Sequence, residues 1–178
     1  MEQLKRIKRE LMYKGSIVDV YKDYIQTPSN TISEWDFIGH KGAAAVIPIT
    51  VDGNILMVRQ WRNALDRQTL EIPAGGLESV EESMKQCARR ELEEETGYKS
   101  KDLEFLISIR TTIAFCNEKI DIFVARNLEP SRQNLDPDEY IDVEEYSVEE
   151  LIEKIYDGEI QDSKTISGIL AYKDKFVK

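Results

Sequence analysis

The feature that most limits what this chain can fold into is a change of hydrophobic period at Gly75-Gly76. Upstream, GAAAVIPITVDG and NILMVRQWR are apolar runs of strand length, and QTLEIPA is a shorter one that Pro73 should end or hold at an edge. Downstream, Val80, Met84, Cys87, Ala88 and Leu92 recur at the spacing of one helix face, with Gly97 placed to stop the helix. Two glycines at the junction let the backbone turn sharply from strand to helix.

The flanking segments extend this mixture. Between Gly15 and Phe37 the stretches SIVDVYKDYIQ and SEWDFIGH alternate apolar and polar residues around a Thr27-Pro28-Ser29-Asn30 turn, which predicts a hairpin or strand pair. Asp52-Gly53-Asn54 predicts a second hairpin joining the two central strands. LEFLISIRTTI and KIDIFVARNL read as strands joined around Phe115-Cys116-Asn117-Glu118, PSRQNLDPDEY as a polar loop, and IDVEEYS as a short strand. A helix should start at Ser147, which has capping-box spacing to Glu150, and another should cover SKTISGILAYKDKF. The order predicts an α+β or mixed α/β layer fold without repeats. We divide it into an N-terminal β extension, residues 1–40, and a main domain, residues 41–178.

Charge and composition restrict the chemistry. Asp and Glu number 34 against 24 Lys and Arg, a net charge of -10, which argues against gripping nucleic-acid backbone or an anionic membrane. The start, MEQLKRIKRELMYKG, carries no apolar signal core, so a cytoplasmic protein without an anchor is expected. Two cysteines, Cys87 and Cys116, without Cys-x-x-Cys spacing, and one histidine, His40, cannot build a thiolate or imidazole metal site. A metal here must be held by oxygen.

Such oxygens are concentrated after the glycines. On a helix Glu91 lies i,i+4 from Glu95 and i,i+3 from Glu94, so three carboxylates share one side. Like charges so spaced cost a few tenths of a kcal/mol per pair unless a cation sits among them. Magnesium suits one or two carboxylates plus waters and substrate phosphate. Glu82 has capping-box spacing from Ser79, leaving a cap or a role at the metal both open. Arg90, i−4 from Glu94 and adjacent to Glu91, is placed to orient a Glu through its fork.

Gly76, Glu82, Arg90, Glu91, Leu92, Glu94, Glu95, Gly97 and Tyr98 match Gly-x5-Glu-x7-Arg-Glu-U-x-Glu-Glu-x-Gly-U at every position, U being apolar or aromatic. This resembles the Nudix box of hydrolases that cleave a nucleoside diphosphate linked to another group. Met57 to Arg62, Glu71 to Glu78, Asp157 to Ile160 and Asp162 to Ile169 resemble the ADP-ribose pyrophosphatase branch. The resemblance implies an α+β Nudix fold, a mixed α/β/α sandwich, with an N-terminal β extension. It implies metal-dependent hydrolysis of a nucleoside diphosphate sugar, ADP-ribose to AMP and ribose 5-phosphate, by a homodimer joined through residues 15–40. Glu91, Glu95, Glu94 and the Ala74 carbonyl are then the metal ligands, with magnesium or manganese as the ion, and Arg90 supports them.

The general base implied by the same resemblance is a Glu in the acidic loop Asp136-Pro137-Asp138-Glu139-Tyr140; Glu139 is the candidate, with Glu118 a weaker one. An anionic diphosphate beside several Glu needs local positive charge, which makes Arg59 and Arg62 substrate candidates against a surface ion pair. Trp35 is a candidate for stacking on a nucleobase and equally for a core aromatic. His40 reads as structural. One departure bears on the substrate: the Ser-Pro-Gly-Phe-like turn usual in that branch reads Thr112-Ile113-Ala114-Phe115 here. Another nucleoside diphosphate sugar, or a non-catalytic nucleotide sensor of the same fold, therefore stays open.

Overall fold

The computed structural model describes residues 4–177; the first three residues of the charged start, and Lys178, lie outside them. The chain forms two units, one from residues 1–42 and 110–119, the other from 43–109 and 120–178.

The first unit is built on an antiparallel sheet of β1 (Lys5–Lys14), β2 (Asp19–Gln26) and β3 (Ile32–Gly39), in that order. The predicted strand pair is β2 and β3, joined at Thr27–Thr31, where Asn30 takes a positive φ of 61°. β1 was not anticipated: six of its ten residues are charged, most are exposed, and they pair along β2 from Lys5 opposite Gln26 to Lys14 opposite Asp19. The segment 110–119 joins this unit through Ile38, whose N–H donates to the Phe115 carbonyl at 2.7 Å.

The second unit starts with β4 (Ala43–Pro48) and β5 (Ile55–Arg62). The Asp52-Gly53-Asn54 turn forms, with Gly53 at φ 85°, but the two strands do not make the expected hairpin. They share one bridge, Ile49 with Ile55, and then enter different sheets. β4 is buried along its length, Ala43, Ala45 and Ile47 facing one core and Ala44 and Val46 another. A strand with two apolar faces belongs inside a sheet covered on both sides.

β6 (Arg67–Glu71) stops at Ile72-Pro73, β7 (Ala74–Gly76) follows, and α1 spans Met84–Thr96. Then come β8 (Tyr98–Lys99), β9 (Asp102–Arg110), β10 (Lys119–Arg126), β11 (Glu129–Pro130), β12 (Ile141–Tyr146), α2 (Val148–Tyr156) and α3 (Ser163–Phe176). One sheet runs β7-β4-β10-β9, with β10 parallel to β4; another runs β12-β5-β6, and β11 pairs with β8 in a two-stranded one. Cys87, Ala88 and Leu92 of α1 cover one face of the first sheet, and Leu151, Ile169 and Tyr172 of α2 and α3 join the core on the other. The predicted cap of α2 is present: Ser147 and Glu150 exchange side-chain to backbone bonds.

The cap of α1 differs from the Ser79–Glu82 spacing. The helix starts four residues later, with Ser83 as cap and Gln86 closing the box, and Val80 is fully exposed. Glu82 is occupied elsewhere: its carboxylate accepts from the Glu78 N–H at 2.8 Å and from Arg90 Nε at 3.0 Å.

Candidate active site

The site lies where β7 turns into α1. β7 is held antiparallel to β4, Ala74 opposite Ala45 and Gly75 opposite Ala44, which brings its backbone against the helix. A Cβ on Gly75 would stand 2.1 Å from Glu91 Oε1, so only glycine leaves room for that carboxylate. Ala74 donates its N–H to Glu95 Oε2 at 2.9 Å. A cavity of about 230 Å³ opens here, lined by Ala74, Gly75, Glu91, Glu94, Asp136 and Glu139 among others.

Glu91 and Glu95 are both buried. Burial pushes the Glu91 carboxyl up to about 7 in spite of Arg90, and pushes Glu95 up to about 8, Glu91 adding to that rise. The three acids share a helix side but do not close on one point. Arg90 Nη1 donates to Glu91 Oε1 at 2.6 Å and to Glu94 Oε2 at 2.9 Å, while its Nη2 donates to the Gly76 carbonyl at 2.9 Å. No group of three or more carboxyl, thiol or imidazole side chains is ready-assembled for a metal among the described residues. The donors still suit a hard divalent cation: two desolvated carboxylates, of which Arg90 pairs with Glu91, a third beside them, and a strand residue, Ala74, at the same cavity. Such an ion would relieve the cost that burial places on both carboxyls.

The two arginines of β5 have separate fates. Arg62 pairs in a fork with Glu71, Nε and Nη2 each 2.7 Å from a carboxylate oxygen. Lys164, in the first turn of α3, donates to the same Glu71 and also to Asp162, at 3.0 Å for the latter. Glu71 is 2% exposed; burial alone would raise its carboxyl, but Arg62 and Lys164 outweigh burial and hold it at about 2. The Arg62 charge also reaches toward Glu95. Arg59 projects from the opposite face of β5, where its fork holds Glu144 of β12 and Glu159 lies 3.6 Å away. That arginine braces two strands, the ion-pair alternative of the sequence reading.

In the acidic loop, Asp136 and Glu139 form a turn: the Glu139 N–H donates to the Asp136 carbonyl at 3.0 Å, and Glu139 Oε2 accepts from the Asp136 N–H at 3.2 Å. The Glu139 charge contributes to the upward shifts of both Glu91 and Glu95. In the first unit, Trp35 is 47% exposed and lines a cavity with Glu34, Asp36, Ile38 and Phe115. Glu118 accepts from Thr111 Oγ1 at 2.7 Å and faces His40 Nε2 at 3.6 Å; His40 Nδ1 accepts from the Gly42 N–H. Two members of the ion network around Arg62 escaped the sequence reading. Glu71 could have been suspected, as a charge inside the apolar run Thr69 to Ile72. Lys164 carries no such signal.

In this α+β layer fold the strand-to-helix corner sets buried carboxylates beside a cavity, a donor set that suits a divalent cation and the pyrophosphate it would hold. The NUDIX domain family matches residues 39–167, and the chain belongs to the Nudix family. A methanol dehydrogenase activator of Bacillus methanolicus is 39% identical over 93% of this chain and 90% of its own length. ADP-ribose pyrophosphatases of Bacillus subtilis and Mycobacterium tuberculosis are 36% and 30% identical over 93% of this chain, covering 90% and 81% of their own lengths. A crystal structure of an ADP compounds hydrolase superposes with a TM-score of 0.86 over all of this chain and 98% of its own, at 18% identity, and so matches in fold. Nudix hydrolases generally use divalent metals.

Proposed function

We propose that this chain hydrolyses the diphosphate bond of a nucleoside diphosphate sugar, with ADP-ribose giving AMP and ribose 5-phosphate as the leading substrate. The observation that carries the reading is the buried Glu91–Glu95 pair, with Glu91 lining one cavity together with Glu94 and Glu139, in a chain whose relatives include two named ADP-ribose pyrophosphatases. Magnesium, or manganese in its place, would be held by Glu91, Glu95 and the Ala74 carbonyl, with Glu94 beside them. Bound there, the cation offsets diphosphate charge and lowers the pKa of a water.

The protein's own groups do the rest. Arg90 fixes Glu91 and Glu94 through its Nη1, while its other nitrogens hold Glu82 and the Gly76 carbonyl. Arg62, held by Glu71, presents positive charge to the diphosphate. Glu139 takes the proton of the attacking water. Trp35, half-exposed on the first unit, offers a face on which a nucleobase can stack, and Glu118 is a substrate-binding candidate of the same unit. We assign the homodimer contact to residues 15–40 and the working compartment to the cytoplasm; no helix among the described residues is long and apolar enough to cross a membrane.

A panel of nucleoside diphosphate sugars, incubated with magnesium or manganese and resolved by product, tests the reading; AMP with ribose 5-phosphate as the dominant pair is the expected result. Glu95→Gln should lower turnover by orders of magnitude while the fold persists, and near-normal turnover in that variant rejects the assignment. The relative named as a dehydrogenase activator favours a second reading, in which the same hydrolysis serves another enzyme. It predicts that wild type, and not Glu95→Gln, raises the turnover of a methanol dehydrogenase.

A further inference from the structure

The loop that carries Glu139 is tied down at its two ends and little in between. Its first residues run along the last turn of α1: the Ser131 N–H donates to the Gly97 carbonyl at 2.7 Å and the Asn134 N–H to the Glu94 carbonyl at 3.0 Å. Gly97 makes the passage possible, since it has φ 72° and a Cβ there would meet the Gln133 nitrogen at 3.1 Å. Beyond Asn134, among the described residues, the segment is held by the Asp136–Glu139 turn alone, and Tyr140 is 82% exposed. It re-enters the sheet at Ile141, opposite Gln60 of β5.

One side chain links both ends. Gln133 Nε2 donates to the Glu95 carbonyl at 2.7 Å and to the Ile141 carbonyl at 3.3 Å. A single amide thus fixes the base of segment 134–140 to the backbone of the residue whose side chain is one of the buried carboxylates. An exposed turn cannot hold a carboxylate to within a fraction of an ångström by itself, so its precision has to come from that base.

We propose that Gln133 is a positioning residue that sets the reach of Glu139 over the cavity, an inference that rests on Glu139 as the base. A plain helix-end contact would affect stability alone. Replacing Gln133 by Met keeps its length and removes both donors; Gln133→Ala serves as the second variant, and melting curves establish that each is folded.

With ADP-ribose and magnesium, Gln133→Met should lower kcat about tenfold or more while KM changes less than about threefold. Glu139→Gln alone should lower kcat by about 10² or more. The double variant should be no slower than Glu139→Gln, because the amide has nothing left to position. An unaltered kcat in a folded Gln133 variant, or losses that multiply in the double variant, overturn the role of Gln133 and leave the base intact. Normal turnover in Glu139→Gln removes the base reading and this inference with it.

Discussion

Replacing Glu71 by Gln should destabilise the second unit far more than a surface substitution would. The wild-type carboxyl sits at about 2 against an ordinary value of 4.5 because Arg62 and Lys164 both bond it. Each pKa unit is about 1.4 kcal/mol, so the ionised group contributes about 3 kcal/mol at neutral pH. Gln keeps the shape and loses the charge. It leaves Lys164, whose side chain is 10% exposed, dependent on Asp162, whereas Arg62, at 41%, can turn to water. Breaking one side of a buried pair costs about 3–5 kcal/mol, so the lower end applies here.

For a chain of this size, that is a fall in Tm of about 6–12 °C at pH 7. The sign of the pH dependence follows from the depressed value: the stabilisation is complete above 4.5 and is lost as pH falls toward 2. Thermal melts of the two proteins should therefore converge on acidification through that window. A variant within about 1 kcal/mol of wild type at pH 7, or a gap that persists undiminished to the acid end, would refute the buried ion network as a source of stability.

Further outcomes follow from the same geometry. Gly75→Ala should displace the Glu91 carboxylate and cut kcat about 10²-fold with little change in urea midpoint; undiminished turnover would show the close approach to be irrelevant. The raised carboxyls of Glu91 and Glu95 act opposite to Glu71: folded, metal-free protein loses stability as pH rises from about 4.5 through 7 and 8. Added magnesium should restore it increasingly over that range, with proton release measurable by calorimetry in buffers of different ionisation heat. A pH-independent magnesium shift in Tm would contradict this. Ser83→Ala should cost about 1 kcal/mol and Ser79→Ala almost none, readable by denaturant titration, and the reverse order would return the helix start to Ser79.

Elements with local causes were legible in the sequence. The capping box at Ser147 and the span of α3 follow from residue types within a turn or two of one another. The spacing of Glu91, Glu94 and Glu95 likewise put the buried carboxylates on the right helix. What escaped depends on distant partners. β1 buries almost nothing, so no alternation marks it, and it is a strand because β2 offers it an edge. The turn at Gly53 was readable, yet the pairing of β4 was decided by its two buried faces. Ser79 and Ser83 both satisfy the capping rule, and the choice between them turns on Arg90, which draws Glu82 away. Glu71 and Lys164 are 93 positions apart, beyond any local pattern.

The first turn of α3 does more than close a core. The Ile72 N–H donates to Thr165 Oγ1, also 93 positions away, and Asp162 caps the helix by accepting from the Thr165 N–H. The strand leading into Ala74 is therefore braced by residues synthesised long after it. A nascent chain stopped before Asp162 already carries every acid of the box but not this clamp, so competence should arrive abruptly and late during translation.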